Sequence, residues 1–500
     1  MTQSQTLPAF PARSYDFVEY VPAKNWIDGQ WVDAASGQTI PVENPRHGKA
    51  LSKVVLSGAE DVDRAAKAAK KAFESWRRVP IKERAQVFFK LKELMERDLE
   101  ELSWLVTHEN GKIIEEARAS VLKGIECVEF GASLPNAAAG ERLEVSRGVT
   151  CTQDHEPLGV VAGITPFNFP IMVPLWMMPQ AIVGGNAFIL KPSEQVPLGS
   201  LKLAQLLEEA GLPKGVFNVV HGGVDAVNAL CDHEDIQAMA FVGSTKVARL
   251  VYARGAAAGK SMLCLGGAKN HLIVVPDADV KLTAENVVAS FTGCAGQRCM
   301  AASVLVAVGE VDHVIDAIKK RASELTVGKE LGPVINKASE ERMGRYVDEA
   351  EKQGAKVLVD GRGKRGAPEG YWFAPTVLDG VTEDMPAWKD EIFGPVLSIV
   401  RVKTVDEAIA LENRCPYGNA SSVYTTSGAV AEYVTGRVEA GMVGVNIGVP
   451  VPREPFGFGG WNHSKFGHGN ITGMDGYRFW TRPRKITSKW ELQQDSNWMS

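Results

Sequence analysis

The sequence predicts an α/β protein made of two doubly wound domains in tandem, and three observations carry that prediction. From residue 157 short β-rich runs alternate with helical stretches: LGVVAGIT, a helix to about Gly185, AFILKPS, SLKLAQLLEEAG, VFNVV and AMAFVG. A second series of the same kind runs from HLIVVPDAD at 271–279 to about residue 448, with a helix before Cys299 and the run VDEAIALENR. Such alternation implies βαβ units around parallel sheets. The third observation is composition: 500 residues, 45% hydrophobic and 23% charged, enough for two or three domains with their own cores. Two such domains leave a cleft between them, where ligands of open α/β sheets commonly bind.

The elements follow in order. Ser57-Gly-Ala-Glu60 has the form of a capping box, and Val62, Ala65, Ala69, Phe73 and Trp76 follow at helical spacing. After Pro80 a second helix carries Val87, Leu91, Leu94, Leu102 and Leu105 on one face. From Val160 to Leu190 there is no charged residue, a length that could span a bilayer. Pro166, Pro170, Pro174, Pro179, Gly184 and Gly185 would break a spanning helix repeatedly, so this stretch is read as buried strand, loop, helix and strand. Residues 141–157 and 477–490 alternate polar and apolar positions and are expected to pair as an arm outside both domains.

Charge and cysteine usage narrow the function classes. The net charge is −5 with lysines and arginines scattered, which points away from nucleic acid and towards small molecules and copies of the same chain. Seven cysteines without a CxxC pair argue against a disulfide framework and against a zinc ribbon, so no metal is expected and a reducing, cytoplasmic setting fits. Residues 1–25 have neither a signal-peptide core nor an Arg-rich amphipathic pattern. The sequons at Asn419, Asn462 and Asn470 are therefore read as chance matches. RGAAAGKS at 254–261 is one residue short of a phosphate-binding P-loop and reads as a helix end followed by a strand.

Chemistry is concentrated in FTGCAGQRCMAAS. A free cysteine is ordinarily a small buried hydrophobe. Around Cys299, however, Gly293, Ala295 and Gly296 allow close approach of backbone and substrate, and Arg298 can favour the thiolate. Cys294 is the rival within the segment; Cys127, Cys151, Cys231 and Cys415 lack such surroundings.

FTGCAGQRCMAAS, TPFNFP (165–170), LKPSE (190–194), FVGST (241–245), LGGAKNH (265–271) and EIFGPV (391–396) stand in the order found in the aldehyde dehydrogenase superfamily, which the chain resembles over about residues 24–488. The resemblance implies an aldehyde dehydrogenase-like fold: a dinucleotide-binding domain (24–130 and 158–265), a catalytic domain (266–469) and a β-strand oligomerisation arm (131–157 and 470–500), behind an N-terminal extension (1–23). It further implies homodimers or homotetramers. Cys299 would attack the aldehyde, with the Asn168 side chain and the Cys299 backbone N–H holding the oxyanion. NAD would be held by Thr165, Phe167, Lys191, Glu194, Gly243, Ser244, Glu391 and Phe393. Gly243 and Ser244 precede a helix whose N-terminus suits a pyrophosphate. A carboxylate at Glu194 suits two ribose hydroxyls and repels a 2′-phosphate, which favours NAD over NADP.

Departures from the family pattern refine this reading. Hydrolytic members carry LELGG where this chain has Leu263-Cys264-Leu265-Gly266-Gly267, so the glutamate that activates water is missing. That change, together with GAKNH, Arg298, FNFPxMxPLWM and ITSKW, resembles the methylmalonate-semialdehyde dehydrogenase branch. The resemblance implies oxidation of a malonate- or methylmalonate-semialdehyde type of substrate, decarboxylation, and acyl transfer to coenzyme A, giving acetyl- or propionyl-coenzyme A. Its substrate carboxylate is held by two arginines: Arg298 matches one, and Lys123 stands where the other is expected, either as a replacement cation without the bidentate fork or as a solvated helix lysine. REPFGFGGWNHSKFGHG at 453–469 also departs from the branch, and Arg453 is expected to add a cation at the substrate funnel. Cys264, if close to Cys299, could form a reversible disulfide with it. The alternatives are a hydrolytic dehydrogenase of another anionic aldehyde and a non-catalytic dinucleotide-binding homologue.

Overall fold

The computed structural model describes residues 13–490. Two large sheets organise it. The first runs Gln30–Val32, Asn25–Ile27, Phe217–Val219, Ala187–Lys191, Val160–Ile164, Ile236–Val242, Ser261–Leu265, Lys465–Gly467. Its five inner strands are mutually parallel. The second runs Lys356–Val359, Thr376–Asp379, Val396–Val402, Ala302–Val308, Asn270–Val274, Ala420–Tyr424, Met442–Val445. All its pairs are parallel except the first. Apolar clusters cover both faces of each sheet, as a doubly wound arrangement requires.

The sheets are mixed at their edges, where the sequence reading gave only parallel strands. Asp28 and Gly29 have φ of 52° and 72° and turn residues 25–32 into a hairpin, the conformation that an Asp-Gly pair adopts most readily. At the other edge Lys465–Gly467 returns from the second half of the chain and pairs antiparallel with Ser261–Leu265. The segment assigned to the second domain thus completes the first sheet.

Two helical expectations are corrected. The first helix, Ala59–Trp76, is capped by Asp61: its carboxylate accepts the Gly58 and Ala35 N–H groups and pairs with Arg64, while Ser57 Oγ is bonded to the Asn25 side chain. The residues after Pro80 form two helices, Ile81–Arg97 and Leu99–Asn110, separated at Asp98. The uncharged stretch behaves as read. Val160–Ile164 and Ala187–Lys191 are inner strands, and the helix Met172–Val183 is buried on every side. Among the described residues no helix is long and apolar enough to cross a membrane.

Outside both cores, Thr481–Lys489, Val149–Pro157 and Glu141–Ser146 form a three-stranded antiparallel sheet, in register from Thr481 opposite Pro157 to Lys489 opposite Val149. Residues 477–479, expected as strand, belong to the helix Gly473–Phe479.

Candidate active site

A cleft of about 1090 Å³ is lined by Thr165, Phe167, Asn168, Lys191, Glu194, Gly243, Ser244, Cys299, Glu391 and Phe393. They come from strand ends and loops far apart in the sequence, as ligand sites of open α/β sheets do. Lys123, Arg298 and Arg453 do not line it.

The nucleophile candidate sits on a tightly turned loop. The helix Val280–Thr292 ends at Gly293, and Cys294, Ala295 and Gly296 then take left-handed φ of 55°, 53° and 67°. Phe393 also has a φ of 53°, rare for a bulky side chain. Gly296 lies so close to Gly394 that a Cβ there would overlap its backbone, so the two loops are clamped together. Strained backbone of this kind persists only where the surroundings over-determine it. Here they do. The Cys299 carbonyl accepts from Asn270 Nδ2 at 2.8 Å and from Asn419 Nδ2 at 2.9 Å. Asn270 Nδ2 donates also to the Ala301 carbonyl, and Asn270 Oδ1 accepts the Ala420 N–H.

Asn168 is held from both sides. Its Nδ2 donates to the Gln297 carbonyl at 2.9 Å, which leaves one amide hydrogen uncommitted. The buried Lys112 ammonium donates to the Asn168 carbonyl and to Asn110 Oδ1, and lies 4.2 Å above the Phe169 ring. Asn110 Nδ2 in turn donates to the Phe167 carbonyl.

The remaining cleft residues form a cradle. Glu391 accepts the Ala268 N–H at 3.0 Å, Thr245 Oγ1 accepts that of Gly267, and Phe167 meets Phe393 edge-on at 5.8 Å. A Cβ at Gly267 would strike the Glu391 carboxylate, so only glycine fits. Lys191 and Glu194 pair at 3.1 Å, and Thr165 Oγ1 is buried without a partner. Ser244 stands at the N-cap position of the helix Thr245–Ala257 without a side-chain cap bond, and that N-terminus opens on the cleft, but the Gly243 N–H is bonded to the Leu265 carbonyl. Gly243 therefore supplies close approach rather than a donor.

Burial dominates the titration of the site. It pushes the Cys299 thiol up to about 12, the Glu391 carboxylate adding to the shift, so the resting sulfur is a thiol. Burial likewise raises Glu391 to about 7. Arg298 opposes the rise at Cys299 only weakly.

The three residues expected at a substrate carboxylate are elsewhere engaged. Arg298 Nη2 donates to the Ala289 and Ser290 carbonyls at 2.8 Å each, closing the last turn of Val280–Thr292. Lys123 Nζ lies 2.9 Å from both Glu454 Oε2 and Glu126 Oε2. Arg453 is 77% exposed and reaches Glu126 at 3.3 Å. Cys264 is fully buried in the cluster on one face of the first sheet, whereas its neighbours Leu263 and Leu265 and the Cys299 side chain join the cluster on the other. Strand alternation thus turns Cys264 away from Cys299, which removes the disulfide expectation.

Asn270, Asn419, Gln297 and Lys112 escaped the sequence reading. Asn270 lies within LGGAKNH and Asn419 within a sequon, but a buried asparagine bridging to a distant carbonyl leaves no local pattern.

The aldehyde dehydrogenase family profile matches residues 31–486. A curated relative from Geobacillus kaustophilus, malonate-semialdehyde dehydrogenase 2, is 48% identical over 476 residues, covering 93% of this chain and 98% of its own. The crystal structure of methylmalonate-semialdehyde dehydrogenase from Oceanimonas doudoroffii superposes with a TM-score of 0.93 at 41% identity, covering 95% of this chain and 99% of its own. A Sinorhizobium meliloti structure complexed with NAD gives the same TM-score and identity, with 96% and 100% coverage.

Proposed function

The chain belongs to the aldehyde dehydrogenase family, and from that premise we propose that it oxidises a malonate- or methylmalonate-semialdehyde type of substrate with NAD and passes the acyl group to coenzyme A. The observation that carries this reading is Cys264, an uncharged buried side chain at the position where hydrolytic members of the family carry the water-activating glutamate. Cys299 attacks the aldehyde carbon, and the free Asn168 amide hydrogen and the Cys299 N–H stabilise the oxyanion. Loss of a hydride from that carbon to the NAD that the cleft would hold would leave a thioester on Cys299. Without a carboxylate at 264 to activate water, that thioester waits for a thiol. In the branch that this chain resembles, the acyl group loses carbon dioxide before it reaches coenzyme A.

NAD fits the cleft on two grounds: its volume and the unpartnered Thr165 hydroxyl. Thr165, Phe167, Lys191, Glu194, Ser244, Glu391 and Phe393 would hold it, with Gly243 giving room. When bound it supplies a hydride acceptor. Homodimers or homotetramers paired through the exposed face of the arm, where Leu143, Val145 and Ile486 are open, complete the reading.

A second reading rests on one observation. Because Lys123 already faces two carboxylates and Arg298 closes a helix, an aldehyde without a carboxylate would also suit the site. NADH formation from malonate semialdehyde, methylmalonate semialdehyde and propionaldehyde, each with and without coenzyme A, separates the two. Multiple turnovers of the semialdehydes only with coenzyme A are expected. Sustained turnover without it would sink the acyl-transfer reading, and preference for propionaldehyde would favour the second.

A further inference from the structure

Beside the main cleft lies a second, small cavity of about 10 Å³, lined by Cys299, Glu391, Lys269, Arg298, Ala301 and the neighbouring backbone. That volume is close to the space of a single water molecule, and a water needs several polar partners to be stable there. The lining supplies them. Arg298 Nε is buried without a partner, and of the Glu391 oxygens only Oε1 is bonded to the Ala268 N–H. Lys269, by contrast, is spent on the Ala387 and Asp390 carbonyls. Cys299 and Glu391 therefore share both the main cleft and this cavity.

We infer that a water in this cavity relays the Cys299 proton to Glu391, which serves as the base of the thiol in a site whose position 264 carries none. The S–H bond breaks, the proton passes to the water and a water proton to a Glu391 carboxylate oxygen; the electron pair stays on sulfur as thiolate, nothing is oxidised, and Glu391, then carrying that proton, is no base for water attack on the thioester. The inference rests on the reading of Cys299 as the nucleophile but not on the identity of the aldehyde.

Glu391 ionises at about 7 and so can accept a proton above that pH but not below it. The charged and titratable groups facing it are Cys299, Lys269, Arg342 from the helix Lys337–Lys352, and Tyr417, with Arg298 beside Cys299. A purely electrostatic role gives the opposite outcome. An ionised Glu391 next to Cys299 disfavours the thiolate, so its removal would then make the sulfur more reactive.

The test is iodoacetamide alkylation of Cys299, followed by peptide mass spectrometry across pH 5.5–9.5 without aldehyde, NAD or coenzyme A. The unmodified protein should show a rate that rises to a plateau with a midpoint near 7. In Glu391→Gln the plateau should vanish, leaving a rate that climbs about tenfold per pH unit and is at least tenfold slower at pH 8. Ala301→Val, which fills the cavity and keeps Glu391, should lose the plateau too. Equal or faster alkylation of Glu391→Gln at pH 8 overturns the inference, and a normal plateau in Ala301→Val overturns the water path. Failure here with normal aldehyde turnover, or the reverse, separates this inference from the proposed substrate.

Discussion

Two regions of the molecule are built on opposite principles. Around Cys299 and Asn168, neutral amides from four separate segments tie down individual backbone carbonyls. On the helix Ile114–Ala137 and the 453–454 loop, Lys123, Glu126, Arg453 and Glu454 form a charged cluster that ranges from mostly buried to mostly exposed. A caged backbone fixes where the sulfur and the oxyanion stand, and tolerates little change. An ion-pair cluster can exchange partners, which suits the role proposed for Lys123 towards a substrate carboxylate.

Breaking the cage should cost most. Cys299→Ala should abolish the NADH burst altogether in stopped-flow absorbance, while Cys294→Ala keeps it, because Cys294 lies buried outside the cleft with its N–H bonded to Glu116. Asn168→Ala should lower the burst rate by about 10²–10³-fold, the usual consequence of losing one oxyanion donor. Asn419→Ala leaves the Cys299 carbonyl with one donor instead of two, and should cost about 1–3 kcal/mol in urea unfolding together with a slower burst. The charged cluster sharpens the contrast from the other side. Lys123→Met should raise KM for malonate semialdehyde about tenfold or more, as for a lost charge-assisted hydrogen bond, and leave propionaldehyde within about twofold. Equal effects on both aldehydes would mean that Lys123 only supports the fold.

What the sequence made legible follows the same division. Strand runs such as AFILK and the small-residue loop at Cys299 declare themselves, because period and residue size are local properties. The Asp61 cap, the break at Asp98 and the strand Lys465–Gly467 were missed or misplaced, since competing caps and a long return to a distant sheet edge depend on tertiary contacts. The site divides likewise. Motif residues converge on the cleft, but Arg298, read as a substrate anchor from the branch that the chain resembles, closes a helix, and the partners of Lys123 lie 331 residues away in the chain as well as three. Charge next to a nucleophile does not tell where that charge points.

The proposed chemistry requires a thioester that persists on Cys299 until a thiol arrives. Peptide mass spectrometry after mixing the protein with NAD and one equivalent of semialdehyde, without coenzyme A, reads that state directly. An acyl adduct on the peptide containing Cys299, removed when coenzyme A is added, is the predicted result; repeated NADH formation with Cys299 found unmodified would contradict it.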